Sequence, residues 1–475
     1  MNRLLLAPDD FAVPQGDLLG LWADAAEVHA AWLADGALRL TSCRVTGRRY
    51  PALSPARPAA AWFERAIHDL WGHEAEGGTD GRPWLDHGAW PLLAPASPRP
   101  ISRSRAAPPF PFLPTEGAGW HQIAVGPIHA GVIEPGHFRF TVQGELVARL
   151  EIRLGYTHKG TISLMQGKSP RAAARFAARL SGDTTVAHAL AFAEAAEAAT
   201  ASPVPPRAQM LRAVMLELER VANHLHDLGA LVNDAAFPFP QAESGRLREG
   251  LLRAQASAFG HRLMMDRVIP GGLSADLAPG GEAGLMAALA AIAAGLPGLV
   301  AIIEDHASLQ DRLVGTGFLA PALAARFAAG GFVGRASGRA FDARLAFPRP
   351  PYDLLPPRIA LHQDGDVAAR LAIRLAELPD SIRLLRQLLA SLVAGPIHAP
   401  LRPGGGEGVA LVEGFRGEIL TWMALDDGGL IRAIFPRDPS WLQWPLLEAA
   451  TLGNIVADFP LCNKSFNCSY SGVDL

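Results

Sequence analysis

The sequence predicts an α+β protein, in which a small N-terminal α/β domain precedes a larger, mainly helical domain with peripheral β-sheet. Apolar residues recur every three or four positions from Leu211 to Val232 and again from Leu371 to Leu392, which is the period of a helix with one buried face. From Phe138 to Leu154 polar and apolar residues alternate instead, as in a β-hairpin. A chain of 475 residues is long enough for two or three domains of this kind.

The first predicted domain spans residues 1–93. Within it we expect an amphipathic helix from Leu18 to Leu33 and an alternating strand from Leu38 to Val45. A short helix should begin at Trp62 and end in glycine by Gly77, followed by a loop over residues 84–93.

Repeated prolines between residues 91 and 114 mark the domain boundary. Proline cannot continue a helix or a central strand, so we expect an extended linker over residues 94–118. Residues 119–475 then form the second domain. Besides the two long helices and the hairpin, it should contain a helix from Arg246 to Val268 and late strands that begin at Gly408.

Composition and charge exclude several classes of function. Apolar residues make up 49% of the chain and charged residues 19%, which excludes wholesale disorder. The formal net charge is −3 without a long basic run, so we expect no nucleic-acid partner. Residues 283–303 lack charge over about the length of a membrane-spanning helix. They are rich in alanine and interrupted at Gly295-Leu296-Pro297, so a buried helix pair is expected there.

Cysteine usage indicates a reducing compartment. Three cysteines in so long a chain do not make a disulfide framework, so we expect a cytoplasmic protein without a disulfide-linked partner. Cys462 and Cys468 are separated by five residues, whereas metal-binding pairs usually lie two to four residues apart. They are weak candidates for metal ligands, and the spacing favours two reduced, partly buried thiols over a ligand pair.

The candidate functional residues concentrate in Glu151–His188. This stretch begins as a strand, turns through Gly155–Gly160, and should continue as a helix on which Ser181, Thr184 and His188 share one face. Cysteines at the first two positions would indicate a metal site. Histidines in the preceding glycine-rich loops can point into a cleft, although any single one is more often a hydrogen-bonded structural histidine than a ligand or an acid–base group. The candidate cavity residues are His129, His137, His158, Arg179, Ser181, Gly182, Asp183, Thr184 and His188.

An ordered set of motifs resembles one family of redox subunits. The motifs are Gly126-Pro-Ile-His129, Glu134-Pro-Gly-His-Phe-Arg139, Gly155-Tyr-Thr-His-Lys-Gly160, Leu216-Glu-Leu-Glu-Arg-Val-Ala-Asn-His-Leu225, Gly334-Arg-Ala-Ser-Gly338, Val412-Glu-Gly-Phe-Arg-Gly-Glu418 and the tail Asp458–Leu475. They are similar to the large subunits of membrane-bound nickel–iron hydrogenases of the formate hydrogenlyase and hydrogenase-4 type, and to the quinone-site subunit of respiratory complex I. Residues 62–78 resemble the end of a smaller complex I subunit, which the hydrogenlyase-type proteins carry fused at the N-terminus.

The metal ligands that this resemblance implies are missing. The hydrogenases hold nickel and iron with two Cys-x-x-Cys pairs, whose thiolates are soft, anionic ligands. The early pair falls on Ser181 and Thr184, although the following histidine remains as His188. The late pair falls on Ser469 and Gly472. We therefore expect no standard nickel–iron centre and no metal bound directly.

The quinone site that the resemblance implies is also incomplete. Complex I uses a histidine of the glycine-rich hairpin, for which His129 or His137 is available, and a tyrosine whose position falls on Gly182. A quinone in the cavity is therefore compatible with the sequence but lacks one expected hydrogen-bond donor.

The resemblance leads to two main functional hypotheses. In the first, the chain is a subunit of a membrane-associated oxidoreductase of the hydrogenase-4 or NADH:quinone oxidoreductase type, with electron transfer and NAD binding as properties of the family. It would lie on the cytoplasmic face of the inner membrane and contact ion-translocating membrane subunits. It would also dock an iron–sulfur subunit that carries the cluster, and it would contain a quinone-type or vestigial cavity. In the second, it is a non-redox scaffold that couples a soluble partner to the membrane module. A third option is a different metal held by Cys462, Cys468 and nearby histidines.

Overall fold

A computed structural model describes residues 3–104, 108–131 and 133–475. The chain begins with a four-stranded sheet and one short helix: β1 (Arg3–Leu5), α1 (Pro8–Phe11), β2 (Asp17–Ala23), β3 (Glu27–Ala34) and β4 (Ala37–Arg44). The strands lie in the order β1-β4-β3-β2, with β1 parallel to β4 and the other pairs antiparallel. The strand expected near Leu38–Val45 is confirmed as β4.

The helix expected from Leu18 to Leu33 is wrong, because this segment is the hairpin β2–β3. Asp24 makes the turn, since its Oδ1 accepts hydrogen bonds from the backbone N–H groups of Ala26 and Glu27, each at 2.9 Å. Large apolar residues are buried on both faces of this sheet, so their spacing resembles that of a helix.

The rest of the N-terminal segment is short and irregular. It contains β5 (Arg49–Pro51), α2 (Ala61–Trp71), β6 (Glu74–Glu76), β7 (Leu92–Leu93) and β8 (Ile101–Ser102). The helix expected from Trp62 is confirmed as α2, but it ends at Gly72, whose φ of +69° suits glycine. After this glycine, β6 pairs in parallel with β5.

The hairpin expected between Phe138 and Leu154 is confirmed. It belongs to a second, antiparallel sheet of β9 (Trp120–Val125), β10 (His137–Gln143) and β11 (Leu146–Arg153), with β10 in the middle. Phe138 and Phe140 are fully buried, whereas Arg139 between them is only half-buried, as the alternation predicts.

Helices make up most of the remaining chain. Before the late sheet these are α3 (Thr161–Met165), α4 (Pro170–Ala177), α5 (Thr185–Ala199), α6 (Pro206–Asp234), α7 (Pro238–Phe259), α8 (Gly281–Glu304), α9 (Ala307–Leu313), α10 (Pro321–Arg326), α11 (Gly331–Ala336), α12 (Ala343–Ala346) and α13 (Val367–Ala390), with a small β12 (Val268–Ile269) and β13 (Gly272–Leu273) pair. The two long helices expected from apolar spacing are confirmed as α6 and α13. The helix expected over Arg246–Val268 is α7, which begins earlier and ends at Phe259.

Two helical expectations need correction. The single helix expected after Gly160 is divided into α3, α4 and α5, with residues 181–184 in the turn before α5. The buried helix pair expected near residues 283–303 is one helix, α8, because Pro297 lies on its exposed side, where water can satisfy the carbonyl that proline leaves free. Within the described chain, α8 alone is long and apolar enough to cross a membrane, and 28% of its apolar stretch is buried.

A third sheet and three helices complete the chain. They are β14 (Gly406–Gly414), β15 (Gly417–Leu425), β16 (Ile431–Arg437), α14 (Ser440–Thr451), α15 (Phe459–Phe466) and α16 (Ser471–Asp474). The late hairpin expected near Gly408 is confirmed as β14–β15. α5 packs against β14 and β15, which brings the turn before α5 next to the turn of this hairpin.

The N-terminal sheet and the late sheet share one apolar core. Trp22 of β2 stacks on Phe435 with ring centroids 5.2 Å apart, and its ring lies 5.5 Å from Trp422 of β15. His29 of β3 contacts the same tryptophan at 5.0 Å. The division into residues 1–93, 94–118 and 119–475 remains a prediction, but the first segment packs directly on the last.

Removing a central ring of this core should lower stability strongly. Trp422 is 1% exposed, so Trp422→Ala should reduce the free energy of unfolding by about 3–5 kcal/mol through lost apolar burial and the cavity left behind. Chemical denaturation measures the difference. Trp120→Ala, at a 37% exposed position of β9, is the matched control and should cost about 1 kcal/mol or less. Equal losses in the two variants would contradict the shared core.

Candidate functional site

The two motifs that lack cysteine lie together in the fold. Ser181, in the turn before α5, and Ser469, in the tail after α15, face each other with their hydroxyl oxygens 2.9 Å apart. The backbone N–H of Gly472 donates to the Ser469 hydroxyl at 3.0 Å. Segments that are 288 residues apart in sequence therefore meet through two hydroxyl groups.

Arg416 fixes the geometry around these hydroxyls. It comes from the turn of the β14–β15 hairpin and is buried, and its guanidinium forms a bidentate pair with the carboxylate of Asp183. It also donates to the Thr184 hydroxyl at 2.7 Å and to the backbone carbonyl of Asn467. Burial alone would raise the pKa of Asp183, but the charge and hydrogen bonds of Arg416 hold that pKa well below its ordinary value.

A second buried pair lies behind this turn. His188, on the first turns of α5, places Nε2 2.9 Å from Oδ2 of Asp438, and both side chains are almost fully buried. Burial raises the pKa of Asp438, but the contacts with His188 and Arg416 lower it below the usual value. This pair holds α5 against the segment that follows β16.

A cavity of about 520 Å³ opens in front of the two serines. Its walls combine polar groups with apolar surface from Val125, Ile133 and Phe459. Four predicted candidates line it directly, and these are His129, Ser181, Gly182 and Asp183. The size and mixed lining are typical of a site for a small organic molecule.

His129 and Tyr470 form a hydrogen-bonded pair in this cavity. The phenolic oxygen of Tyr470 lies 3.3 Å from His129 Nε2, and His129 Nδ1 lies 3.2 Å from the carbonyl oxygen of Pro127. Since that carbonyl can only accept, Nδ1 carries the proton, and Nε2 accepts from the tyrosine hydroxyl. The ring of Tyr470 packs against Trp444 and against Gly136, where a side-chain carbon would lie 2.5 Å from the ring.

Three predicted cavity residues lie elsewhere. His137 is next to Phe138 on β10, and because Phe138 faces Tyr470, His137 points to the other side of the sheet, against Phe112. His158 packs on the ring of Trp90 and lies 2.6 Å from the backbone carbonyl of Asp474.

Arg179 also lies outside the cavity. The chain turns after α4 instead of continuing as one helix, so Arg179 remains on the surface and pairs with Asp266 at 2.7 Å. Thr184 and His188 lie behind the cavity wall and act on it through Arg416 and Asp438.

Comparisons with known proteins agree with this geometry. The family model described as respiratory-chain NADH dehydrogenase, 49 Kd subunit, matches residues 242–403, and the model for nickel-dependent hydrogenase matches residues 159–231. Formate hydrogenlyase subunit 5 of Escherichia coli (strain K12) is 30% identical over 457 residues, which cover 91% of this chain and 80% of the relative. The carbon monoxide-induced hydrogenase of Rhodospirillum rubrum is 30% identical, covering 73% of this chain and 97% of the relative.

This chain belongs to the family of hydrogenase large subunits and NADH-quinone oxidoreductase D subunits. One such NADH-quinone oxidoreductase relative, from Dehalococcoides mccartyi (strain ATCC BAA-2266 / KCTC 15142 / 195), is 31% identical, covering 74% of this chain and 97% of the relative. The fold is shared with a chain of the membrane-bound sulfane sulfur reductase, an archaeal respiratory membrane complex, with a TM-score of 0.71 and 22% identity over 75% of this chain and 98% of that chain. The predicted α+β fold and family are confirmed, and the relatives are subunits of oxidoreductase complexes.

The residues at the family's metal position do not fit a nickel–iron centre. Ser181 and Ser469 are neutral hydroxyls that bond each other, and a side chain at Gly472 would begin 2.7 Å from the carboxylate carbon of Asp438. Thiolates are the ligands that such a centre requires.

The two tail cysteines do not replace the missing ligands. Burial raises the pKa of the Cys462 thiol to about 11 and raises that of Cys468 further still, so both favour the protonated thiol. Over residues 3–104, 108–131 and 133–475, no three side chains of His, Cys, Asp or Glu are grouped to hold a metal ion. The geometry therefore gives the third hypothesis, a different metal at these cysteines, no support.

Sequence reasoning missed Tyr470, Arg416 and Asp438 as site residues. Arg416 lies in the motif Val412–Glu418 and Tyr470 in the tail, so both segments carried a signal. The tyrosine expected at Gly182 in the complex I alignment is absent, but Tyr470 brings a phenol to the same cavity from a different segment. Nothing in the local sequence of Asp438 indicates its contact with His188.

Glu219 of α6 supports the turn before α5 from behind. Its carboxylate accepts hydrogen bonds from the backbone N–H groups of Val186 and Ala187 at 2.6 and 3.0 Å, at the N-terminus of α5. Burial raises the pKa of Glu219 to about 8 in spite of these bonds, and the nearby charge of Asp183 adds to the rise.

The pH dependence of stability should report this carboxyl group. The pKa of Glu219 is higher in the folded than in the unfolded chain. The protonated carboxyl group therefore makes its full contribution to the free energy of unfolding below the unfolded pKa of 4.5, and this contribution is lost as pH rises through about 8. Between these values the free energy of unfolding should fall by up to about 1.4 kcal/mol per pH unit. Denaturation of Glu219→Gln should therefore show a flatter pH profile than the parent chain. An identical slope in both proteins would show that Glu219 titrates normally.

Proposed function

We propose that this chain is the subunit of a membrane-associated oxidoreductase complex that docks an iron–sulfur partner and accommodates a quinone-type acceptor at His129 and Tyr470. The observation that carries the proposal is the pair of side chains 3.3 Å apart in a cavity of about 520 Å³. Family membership supports the complex, because the relatives include NADH-quinone oxidoreductase D subunits. The partner's cluster would supply electrons, since the described residues of this chain contain no ligand set for one.

The pair has the polar groups that a carbonyl ligand needs. Tyr470 has a hydroxyl hydrogen that it now donates to His129, and a carbonyl oxygen placed between the two rings can accept it instead. Apolar surface from Val125, Ile133 and Phe459 suits the remainder of a quinone ring. A bound quinone would supply the chemistry of an electron acceptor whose oxygens take up protons.

The chain's own residues would manage those protons. Burial raises the pKa of Tyr470 above its usual range, so the phenolate is unfavourable and a proton that leaves must be replaced quickly. His129 is the nearest group that can return one. Its Nε2, which now accepts from the hydroxyl, would first take up a proton from water in the cavity and then pass that proton to the phenolate oxygen, while Pro127 holds the ring through Nδ1. His129 and Tyr470 thus form a proton relay at the ligand.

The second candidate function is the non-redox scaffold. It is favoured by the loss of all four metal-ligand cysteines and by the tail, which joins several segments of the fold. Asp474 accepts from the backbone of Gly155 and Thr157 at 2.7 and 2.9 Å, and Trp84 donates to the carbonyl of Val473. In this hypothesis the chain would link a soluble partner to ion-translocating membrane subunits on the cytoplasmic face of the inner membrane.

Two substitutions in the purified complex separate these functions. His129→Ala and Tyr470→Phe should each lower quinone-dependent turnover by roughly ten- to a hundredfold, because each removes one member of the proton relay. The matched controls are His121→Ala, on exposed β9, and Tyr156→Phe, which lies outside the cavity. Both controls should retain the parent rate.

The opposite outcome favours the scaffold. If both cavity variants turn over quinone at the parent rate, the relay has no catalytic role. Loss of complex assembly on deletion of residues 459–475, with unchanged turnover in the point variants, would then assign the tail a structural function alone.

A further inference from the structure

Arg370 of α13 is a buried cation whose contacts are neutral. Its side chain is fully buried, and its three hydrogen bonds go to the Ser465 hydroxyl at 2.9 Å and the backbone carbonyls of Gly365 and Gly317 at 2.7 and 2.8 Å. The ring of Phe466 lies under the guanidinium, 4.5 Å from its carbon. Within the described residues no carboxylate forms an ion pair with it: the carboxylate of Asp366, one turn earlier, lies near enough to act on the charge but accepts from the backbone N–H groups of Gly315 and Ala369, both at 2.7 Å.

The neighbouring buried arginines are different. Arg374, one turn further along α13, pairs with Asp227 at 3.1 Å, and Arg416 pairs with Asp183. Each of these positive charges is neutralised locally. A buried guanidinium without such a partner is costly, because neutral hydrogen bonds do not replace the lost hydration of the charge. A neutral donor side chain could hydrogen-bond to the same carbonyls at a lower desolvation cost. Holding these carbonyls in place therefore does not by itself explain why the residue is a charged arginine.

The charge lies directly behind the cavity wall. Ser465, which Arg370 contacts, belongs to α15, and the adjacent residues Asn463 and Lys464 line the cavity. One helix therefore separates the guanidinium from the ligand space, a distance of about 10 Å. At that distance a unit charge changes the affinity for an anion by roughly tenfold when the effective dielectric constant is about 20.

Nearby acidic groups do not cancel this field at the ligand. Asp183 is already paired with Arg416, and Asp438 is held by His188. Two further carboxylates of the lining, Glu134 and Asp234, are exposed to solvent near Lys464, so water and salt screen their charges, and Glu134 also accepts from the backbone N–H of Ser471 at 2.8 Å. The field of the buried Arg370 is screened far less.

We infer that Arg370 is a specificity-determining residue, whose buried positive charge, in direct ion contact with no carboxylate, makes the cavity favour ligands that carry or acquire negative charge. It acts through space and does not touch the ligand. The inference rests on the proposed quinone-type site and adds to it, because an acceptor that gains electrons becomes more negative before it gains protons. The acceptor is thereby bound more tightly after it gains electrons and until its oxygens take up protons.

A pair of naphthoquinones that differ in charge tests the inference. Binding of 2-hydroxy-1,4-naphthoquinone, which is anionic at neutral pH, and of neutral 2-methyl-1,4-naphthoquinone is measured on the purified complex. Arg370→Gln should weaken binding of the anion about tenfold relative to the neutral ring, and Arg370→Lys should keep the parent ratio. If Arg370→Gln weakens the binding of both naphthoquinones equally, Arg370 only supports the structure of the cavity wall, and the inference is wrong.

Wild-type binding separates failure of the inference from failure of the proposed function. If the parent complex binds neither naphthoquinone, the quinone-type site is wrong, and the inference falls with it. If it binds both, and the ratio is the same in parent and Arg370→Gln, only the inference is wrong.

A measurement on the parent complex covers the case in which Arg370→Gln does not assemble. The preference for the anion should persist from low to high salt, because the charge behind it is buried. Lys464→Gln is the control for a surface charge and should alter the preference at low salt alone. If the parent complex loses its preference for the anion at high salt, the preference comes from the exposed charges at the mouth of the cavity, and the role inferred for Arg370 is wrong.

Discussion

The ion pair between Arg416 and Asp183 is the interaction on which the site depends. It joins the turn of the β14–β15 hairpin to the turn before α5, and the same guanidinium holds the tail through the carbonyl of Asn467. Both partners are fixed by further bonds, so the three segments have one relative position. The cavity, the serine contact and the Tyr470 ring are all built on those segments. Breaking the pair would leave a buried guanidinium uncompensated, which is among the more destabilising changes a protein core can undergo.

The family framework persists here with different chemistry at its centre. Ser181 and Ser469 meet at the two positions where the resemblance to nickel–iron hydrogenases implies cysteine motifs, and they do so through a hydroxyl contact of 2.9 Å. The cavity beside this contact brings together a histidine and a tyrosine, the two groups on which the proposed quinone-type site rests. In this arrangement the arginines around the tail acquire a second role. Arg416 positions the cavity walls, and the role that we infer for Arg370 is to set the charge that a ligand meets.

Periodic features of the sequence predicted their structures well. The helices α6 and α13 and the hairpin β10–β11 each bury one face. The spacing of apolar residues along the sequence reveals such a buried face directly. Leu18–Leu33 failed because a strand buried on both faces has no alternation to detect. The site was predicted in part. Ser181, Asp183 and His129 line the cavity and lie in recognisable motifs. Arg179 lies beyond the end of α4, His137 faces the other side of its sheet, and His158 lies in a loop that packs against Trp90. The contact of Asp438 with His188 and that of Arg370 with Ser465 each join residues more than ninety positions apart, so no local pattern could reveal them.

Metal analysis of the purified complex with its partner subunits tests the central claim most directly. If the serine contact has replaced the nickel–iron centre, nickel should be absent at any stoichiometric level, and iron should be confined to an iron–sulfur partner that can be separated from this chain. Stoichiometric nickel that remains with this chain after separation would contradict the account, because neither the two hydroxyls nor the protonated thiols of Cys462 and Cys468 could hold it.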